Sequence, residues 1–314
     1  DKYTQVEMDI NGGTAYVDMG TSRMLSVPYA LYASNSRKSD QWIEDTIEKS
    51  LYMNTTRYNN FIVGDGYAAY NSTAFGTHSY ATGINSFSIG NNLHCEGDYS
   101  FSQGVNSTIV GSNSVSLGES LLSFGSWSTT IGKGDTAWNN YCFSQGLNSY
   151  ANGFNSIAMG QSGAGDTNSV AIGYKDTAFA KFSFASGAYS KAKNTYATAM
   201  GQSYASGLAA VAIGYRDSAI GNYSFASGDS SVATGTYSTA MGSSNARNTY
   251  ATALGHSVST GQNATAMGAA LCTGNYSLAT GSSTATNNYA SAMGSSSASN
   301  TYSTAMGLSA ASGN

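Results

Sequence analysis

Proline and charge are scarce in this chain. Its 314 residues include one Pro, Pro28, and charged residues make up only 10% of the sequence. The net charge of −4 excludes the basic surface that nucleic-acid binding needs. No apolar run reaches the roughly 18 residues of a membrane-spanning helix, so we expect no membrane insertion in this segment. Because Pro cannot donate a backbone hydrogen bond, its absence after Pro28 favours strands that are paired on both edges.

Candidate catalytic and metal-binding residues are few. The three cysteines are Cys95, Cys142 and Cys272, and the three histidines are His78, His94 and His256. The cysteines are far apart in the sequence, so we expect buried free thiols rather than an intrachain disulfide. The histidines have no carboxylate or cysteine neighbours at metal-ligand spacing. We therefore predict no cofactor, no metal and no enzyme activity.

The charged residues divide the chain in two. Residues 1–66 contain 15 of them and the remaining 248 residues contain another 15. We therefore predict an N-terminal collar or cap over residues 1–66 and a second domain over residues 67–314. The chain begins at Asp1 and stops within a repeated phrase, so we expect that it continues beyond both ends in a longer, processed polypeptide.

Repetition dominates the second domain, which is rich in Gly, Tyr and hydroxyl residues. A phrase of 13 or 14 residues recurs 18 times, and each copy reaches a Gly that we call the glycine column. Its members are Gly76, Gly90, Gly104, Gly118, Gly132, Gly146, Gly160, Gly173, Gly187, Gly201, Gly214, Gly228, Gly242, Gly255, Gly268, Gly281, Gly294 and Gly307.

Most repeats contain a second Gly or Asn near their middle, as at Gly83, Gly207 and Asn194. Gly and Asn accept positive φ at low cost. We therefore predict two tight corners in each repeat, one at the glycine column and one at this second column. Two strands of about five residues fit between the corners.

The side chains alternate with the period of two that a strand requires. Two residues before the glycine column the residue is Ala, Ser or Thr in every repeat, and four residues before it is Ser, Ala or Cys. The second half of the repeat mostly reads Ser-x-Ala. One face of both strands is therefore restricted to small side chains, which predicts a flattened coil with a very thin interior.

The other face of the first strand, one and three residues before each glycine, holds large apolar side chains. Large and small residues exchange places there, as at Thr198/Met200 and Phe184/Ser186, and the Phe repeats recur every 41 or 42 residues. A monomer would expose this face to water, so we predict that it forms the seam of a cyclic oligomer. The seam residues are Phe101, Phe143, Phe184, Phe225, Met200, Met241, Met267 and Met306.

These repeats resemble the head of YadA-like trimeric autotransporter adhesins. Asn-Ser-Val-Ala-Ile-Gly at 168–173 and Asn-Ser-Ile-Ala-Met-Gly at 155–160 carry the resemblance, together with the Ser-x-Ala-x-Gly halves. The resemblance implies an all-β fold, a left-handed parallel β-roll solenoid, and a homotrimer that forms a rigid surface head.

A second, weaker resemblance lies in the collar. The segment from Met19 to Ala33 is similar to one found in secreted, fibre-like or adhesin-like proteins of Bacteroidetes-type bacteria. We expect a hairpin of 51–54 with 61–64 to lead into the roll, and residues 39–49 read as a short helix with Ser39 or Asp40 as N-cap. Together these features predict a small mixed α/β cap.

Five residues before each glycine lies a column that is aromatic in eleven repeats, which we call the aromatic column. Its candidate ligand-contact residues are Tyr196, Tyr223, Tyr237, Tyr250, Tyr276, Tyr289 and Tyr302. Such rings can stack on sugars or collagen-like ligands, or pack between neighbouring protomers.

An Asp-Thr/Ser-Ala motif recurs every 41 residues, with Thr136, Thr177 and Ser218 at its centre. The motif resembles the O-glycosylation acceptor of secreted Bacteroidetes proteins. The alternative is a turn in which Asp accepts hydrogen bonds from nearby backbone amides.

The sequence favours a non-catalytic, trimeric extracellular fibre or adhesin segment on the surface of a Gram-negative, Bacteroidetes-type cell, which attaches the cell to a host, matrix or glycan ligand. The alternative is a receptor-binding or tail-fibre segment of a phage-like virion. Ice binding through the near-column of Thr239, Thr252, Thr265 and Thr304 is a further alternative. An acyltransferase is disfavoured because the repeat is shorter than 18 residues and no catalytic His recurs.

Overall fold

The computed structural model describes residues 3–8, 17–23, 51–54 and 60–312. Strands Tyr3–Met8 and Val17–Arg23 form an antiparallel two-stranded sheet. Leu51–Asn54 pairs antiparallel with Asn60–Val63, which confirms the predicted hairpin at the entrance to the roll. The predicted helix at 39–49 and most of the Met19–Ala33 motif lie outside the described residues.

The rest of the chain is a parallel β-solenoid. Each strand pairs with the strands one turn before and after it, so that Phe101 lies between Phe87 and Val115. The strands that lead into the glycine column are Thr73–Phe75, Phe87–Asn91, Phe101–Val105, Val115–Glu119, Thr129–Lys133, Phe143–Leu147, Phe184–Ala188, Phe225–Asp229, Thr239–Met241, Thr252–Gly255, Thr265–Gly268, Leu278–Gly281, Ser291–Gly294 and Thr304–Gly307.

Shorter strands form the opposite side of the coil. They are Tyr67–Ala68, Ser79–Ala81, Leu93–Cys95, Thr108–Ile109, Leu122–Ser123, Thr136–Ala137, Tyr150–Ala151, Lys191–Ala192, Val232–Ala233, Asn245–Ala246, Val258–Ser259, Leu271–Cys272, Thr284–Ala285, Ser297–Ala298 and Ala310–Ala311. Four longer strands run through both sides: Ile157–Ala164, Val170–Ala178, Thr198–Ala205 and Val211–Ala219.

The interior is as thin as the sequence predicts. Ala and Ser side chains fill almost all of it, and the largest fully buried apolar side chains are Leu93, Ile109 and Leu121. Serine hydroxyls satisfy carbonyls of the next turn, as when Ser190 Oγ donates to Gly201 O at 2.9 Å. Because Ala and Ser bury little apolar area, this interior contributes less to stability than an ordinary hydrophobic core.

The backbone conformation at the corners agrees only in part with the prediction from the sequence. Every member of the glycine column has positive φ, as predicted. The expectation of positive φ at the second Gly/Asn column is wrong, because that conformation lies two residues later, in the aromatic column. Gly207 is needed for another reason: a Cβ there would overlap the carbonyl of Gly221 in the next turn.

A second left-handed residue explains why paired residues are 14 apart in some turns and 13 in others. Where the spacing is 14, the residue two places after the glycine has positive φ, as at Tyr189 and Ser230. Where the spacing is 13, as between Thr198 and Val211, Gly201 is followed by Gln202 and then by buried Ser203. The longer turn therefore contains one additional left-handed residue at its corner.

Candidate interaction surfaces

The predicted seam residues all lie on the outer face of the strands that lead into the glycine column. We call the residues one and three places before each glycine the uncharged face, because no Asp, Glu, Lys or Arg occurs there in any of the 18 repeats. Phe101, Phe143, Phe184 and Phe225 are half-buried, and Phe101 stacks on Phe87 with ring centroids 5.4 Å apart.

Four methionines of this face are exposed in the single chain. Met200, Met241, Met267 and Met306 are 38%, 42%, 38% and 62% exposed. Charged side chains lie elsewhere, at the corners and on the opposite side, as in the Lys133–Glu119 ion pair at 3.0 Å. The coil therefore has one long apolar side and a polar remainder, which is the distribution of an interaction surface.

The aromatic column forms stacked ladders along one corner. Tyr237 lies 5.0 Å from both Tyr223 and Tyr250, centroid to centroid, with ring planes within 7° of parallel. Tyr276, Tyr289 and Tyr302 form a second stack with spacings of 5.2 and 4.9 Å. Because parallel rings at this spacing cover each other's faces, a ladder presents mainly ring edges and hydroxyl groups to solvent.

Every residue of the aromatic column is left-handed, with φ near +57° at Tyr237. Sequence reasoning missed this strain, although a signal was present: Asn, which tolerates positive φ, occupies the same column in six repeats. Favourable ring stacking offsets part of the cost of holding a bulky residue in this conformation.

The three Asp-Thr/Ser-Ala motifs place their two polar residues on opposite sides of the strand. Asp135, Asp176 and Asp217 point into the coil and are at most 1% exposed, while Thr136, Thr177 and Ser218 point outward and are half-buried. The alternative prediction, a turn in which Asp accepts hydrogen bonds from nearby backbone amides, is wrong about the partner. Asp135 Oδ1 instead accepts a hydrogen bond from the backbone amide of Ser149 in the next turn of the coil, at 2.6 Å.

Burial raises the pKa of all three carboxyls, and hydrogen bonds from the next turn oppose this only in part. In each, Oδ2 has no hydrogen-bond partner among residues 60–312. A buried oxygen without a partner favours the protonated acid.

A second feature missed at the sequence level is an aromatic and cationic corner beside two of these motifs. Lys175 Nζ lies 5.1 and 5.4 Å from the ring centroids of Tyr174 and Tyr189, and Arg216 Cζ lies 4.9 Å from that of Tyr215. A hydrogen bond with Lys175 lowers the pKa of Tyr174. The recurring Gly-Tyr-Lys/Arg-Asp phrase was the available signal.

The cysteines are buried free thiols, as predicted. Desolvation raises the pKa of the Cys95 thiol to about 12, which makes it inert at neutral pH.

His78 Nε2 lies 3.6 Å from Asp65 Oδ2, a carboxylate neighbour that the sequence did not reveal. Residues 60–312 contain no group of three His, Cys, Asp or Glu side chains arranged to hold a metal ion. Within the described part of the chain we also find no helix that could span a membrane.

The fold defines a parallel β-solenoid repeat protein. Comparison with protein families gives the more particular assignment. The family model of the YadA head domain repeat matches residues 68–92, 151–175, 219–245 and 233–257. The chain therefore carries YadA-like head repeats, and the turns between the matched segments continue the same columns. A search of curated proteins gave no match.

Proposed function

We propose that this chain is a non-catalytic segment of a homotrimeric extracellular fibre that projects from a cell surface and attaches the cell. The observation that carries the proposal is the uncharged face, where large apolar side chains stand in line on a coil with few charges. A monomer would leave this face in water, and its thin interior offers little compensating burial.

Three copies around an axis parallel to the coil would bury the uncharged face and leave the charged corners exposed. The number three rests on the resemblance to YadA heads, as do the left-handed sense of the coil and the extracellular location. A closed ring also accounts for a face of constant character along the whole rod, because each turn then contacts the equivalent turn of its neighbours.

Attachment would use the outer corners. The Tyr ladders offer rows of hydroxyl groups at one-turn intervals on each of three chains, so weak contacts to a host, matrix or glycan ligand would add through multivalency. The outward hydroxyls of Thr136, Thr177 and Ser218 are accessible enough for O-glycosylation, which would add sugars to the same rod. Intact mass spectrometry of natively expressed protein tests this: sugar-sized increments support it, and the bare chain mass contradicts it.

The function can be tested with beads that carry the chain at saturating density. Retention is measured on collagen, mucin, host-cell and bacterial-envelope surfaces, and compared with a variant in which Tyr223, Tyr237 and Tyr250 are each replaced by Asn. Asn is native to the same column, so the control should keep the fold. Tyr-dependent retention on a host surface supports cell attachment. Retention on bacterial envelopes alone would favour the phage tail-fibre alternative, and no retention on any surface would contradict attachment.

A further inference from the structure

One turn interrupts the aromatic column with a side chain too small to stack. Ala209 stands between Tyr196 and Tyr223, whose outer faces are covered by Phe182 at 5.1 Å and Tyr237 at 5.0 Å. The inner faces of Tyr196 and Tyr223 both look toward Ala209. Two turns of about 4.8 Å each separate these rings by about 10 Å, so one further ring would lie about 5 Å from both. We call this space the Ala209 gap.

The same turn carries an exposed aromatic ring at its other corner. Tyr215 follows Gly214 and is 47% exposed, with Arg216 Cζ 4.9 Å from its ring. Six residues of extended chain, about 20 Å, separate Ala209 from Tyr215. Tyr215 therefore cannot fill the gap of its own chain.

A neighbouring copy can bring the two together. In a closed ring of parallel coils there is no axial shift, so each corner meets the opposite corner of the next copy at nearly the same height. We propose that Tyr215 of each copy inserts into the Ala209 gap of its neighbour, between Tyr196 and Tyr223. A large residue then faces a small one across the interface, as close packing requires.

This contact would favour the closed ring over open assemblies, in which each copy is shifted by one turn against the next. Neighbouring turns of the coil are so similar that two copies could slide by one turn and still match apolar columns. The aromatic column has one other single-residue interruption between two tyrosines, at Asn263. In that turn Ala269 follows the glycine, so no ring lies at the same height as the interruption. The Ala209 gap and Tyr215 thus form a pair that a one-turn slip would separate.

The inference rests on the proposed trimer. Exchanging the small and the large side chain at positions 209 and 215 tests the contact separately from trimer formation. Ala209→Tyr should complete the ladder in a free chain, but it should block the neighbour's Tyr215 in the trimer. We expect Ala209→Tyr and Tyr215→Ala each to raise the concentration at which the trimer dissociates by about tenfold or more. The double variant should bring this concentration most of the way back to the wild-type value. Asn263→Tyr is the matched control and should leave trimer dissociation unchanged.

Light scattering over a dilution series gives the readout, with circular dichroism as the check on folding. An Ala209→Tyr trimer as resistant to dilution as the wild type would overturn the interlock while leaving the proposed function intact. A wild-type chain that is monomeric would instead contradict the proposed trimer itself.

A photoreactive ring supplies a second measurement that does not depend on a bulky substitution. Benzoylphenylalanine at position 215, in mixed isotope-labelled and unlabelled copies, should crosslink between chains to residues 196, 209 or 223. Crosslinks to a different turn, or none between chains, would contradict the proposed register.

Discussion

Asp176 Oδ1 accepts the backbone amide of Ser190, one turn further along the coil, at 2.6 Å. Its second oxygen, Oδ2, is buried without a partner among the described residues, and a Cβ on Gly173 would overlap it. Asp135 and Asp217 repeat the arrangement with Ser149 and Ser231. Three carboxyls thus occupy slots that hold Ser in most other turns.

These carboxyls predict that the coil is more stable in acid than at neutral pH. Burial raises each pKa above its unfolded value of about 3.9, so the folded chain binds protons more readily than the unfolded chain. The free energy of unfolding is therefore highest below pH 4 and falls as the pH rises toward the folded pKa. Thermal midpoints measured from pH 4 to 8 check this.

The triple variant Asp135→Ser, Asp176→Ser, Asp217→Ser should lose this pH dependence and gain stability at pH 7. The exposed Glu96→Gln is the control and should change neither, since Glu96 contributes to none of the three pKa shifts. A triple variant with the same slope as the wild type would show that other groups cause the pH dependence.

Gly187→Ala should lower the free energy of unfolding by about 3 kcal/mol or more. Gly187 has φ of +127°, and a Cβ there would overlap the carbonyl of Gly201 and lie 2.9 Å from its nitrogen. Gly307, in the last described turn, also has positive φ, at +77°, but among the described residues nothing lies within 4 Å of its Cβ position. Gly307→Ala should therefore cost only the conformational strain, about 1–2 kcal/mol. Equal losses in urea unfolding would show that the close approach of adjacent turns is unimportant.

Deletion of Ser230 should be tolerated, with a loss of less than about 1 kcal/mol. Ser230 is the additional left-handed residue of its turn, and its removal leaves Gly-Asp-Ser-Val, which has the same Gly-x-Ser-Val pattern as Gly-His-Ser-Val in the shorter turn at Gly255. Deletion of Thr239 shortens the same turn by one residue, but it shifts Met241 toward the interior. The two variants should differ widely in thermal midpoint; similar midpoints would contradict the explanation of the two spacings.

Tyr237→Ala should lose two stacked neighbours and about 1–3 kcal/mol of stability. Tyr237→Asn loses the same stacking, but Asn tolerates the left-handed conformation better, so its loss should be smaller by up to about 1 kcal/mol. Tyr302→Ala, at the end of its described stack with one ring neighbour, should cost about half as much as Tyr237→Ala. A Tyr237→Ala variant as stable as wild type would mean that the ladders exist only for surface contact.

The cysteines should not react with a thiol reagent until the chain unfolds. Cys95, Cys142 and Cys272 are at most 2% exposed, and burial raises the pKa of Cys95 to about 12. We expect no labelling of the native protein by mass spectrometry and three labels in denaturant. Cys142 Sγ donates to Gly153 O as Ser100 Oγ donates to Gly111 O, so Cys142→Ser should be nearly neutral. Rapid native labelling would contradict the buried interior.

The interior of the coil could be predicted from the sequence because its constraint is local. A period of two with only Ala, Ser, Thr or Cys two and four residues before each glycine leaves room for a thin parallel coil and little else. The left-handed residues of the aromatic column could not be identified in the same way, since Tyr normally avoids positive φ. Stacking between turns, with the ring centroids of Tyr237 and Tyr250 5.0 Å apart, explains why tyrosine occupies these left-handed positions.

The sequence predicts which columns of side chains lie on the outer surface, but it does not predict which side chains of neighbouring turns come into contact. The outward placement of Met200 and Met241 follows from strand alternation. The cluster of Lys175 with Tyr174 and Tyr189 does not, because Tyr189 belongs to the following turn and depends on the left-handed corner there. The partner of Asp176 was missed for the same reason, since Ser190 is fourteen residues away.

The absolute mass of the chain in solution, from light scattering coupled to size exclusion, tests the central claim most directly. The account predicts a stable species of about 97 kDa, three chains of 32.4 kDa each, with the uncharged face buried along a common axis. A soluble species of 32.4 kDa that persists at high concentration would contradict it, because Met200, Met241, Met267 and Met306 would then stand in water along an unpartnered rod.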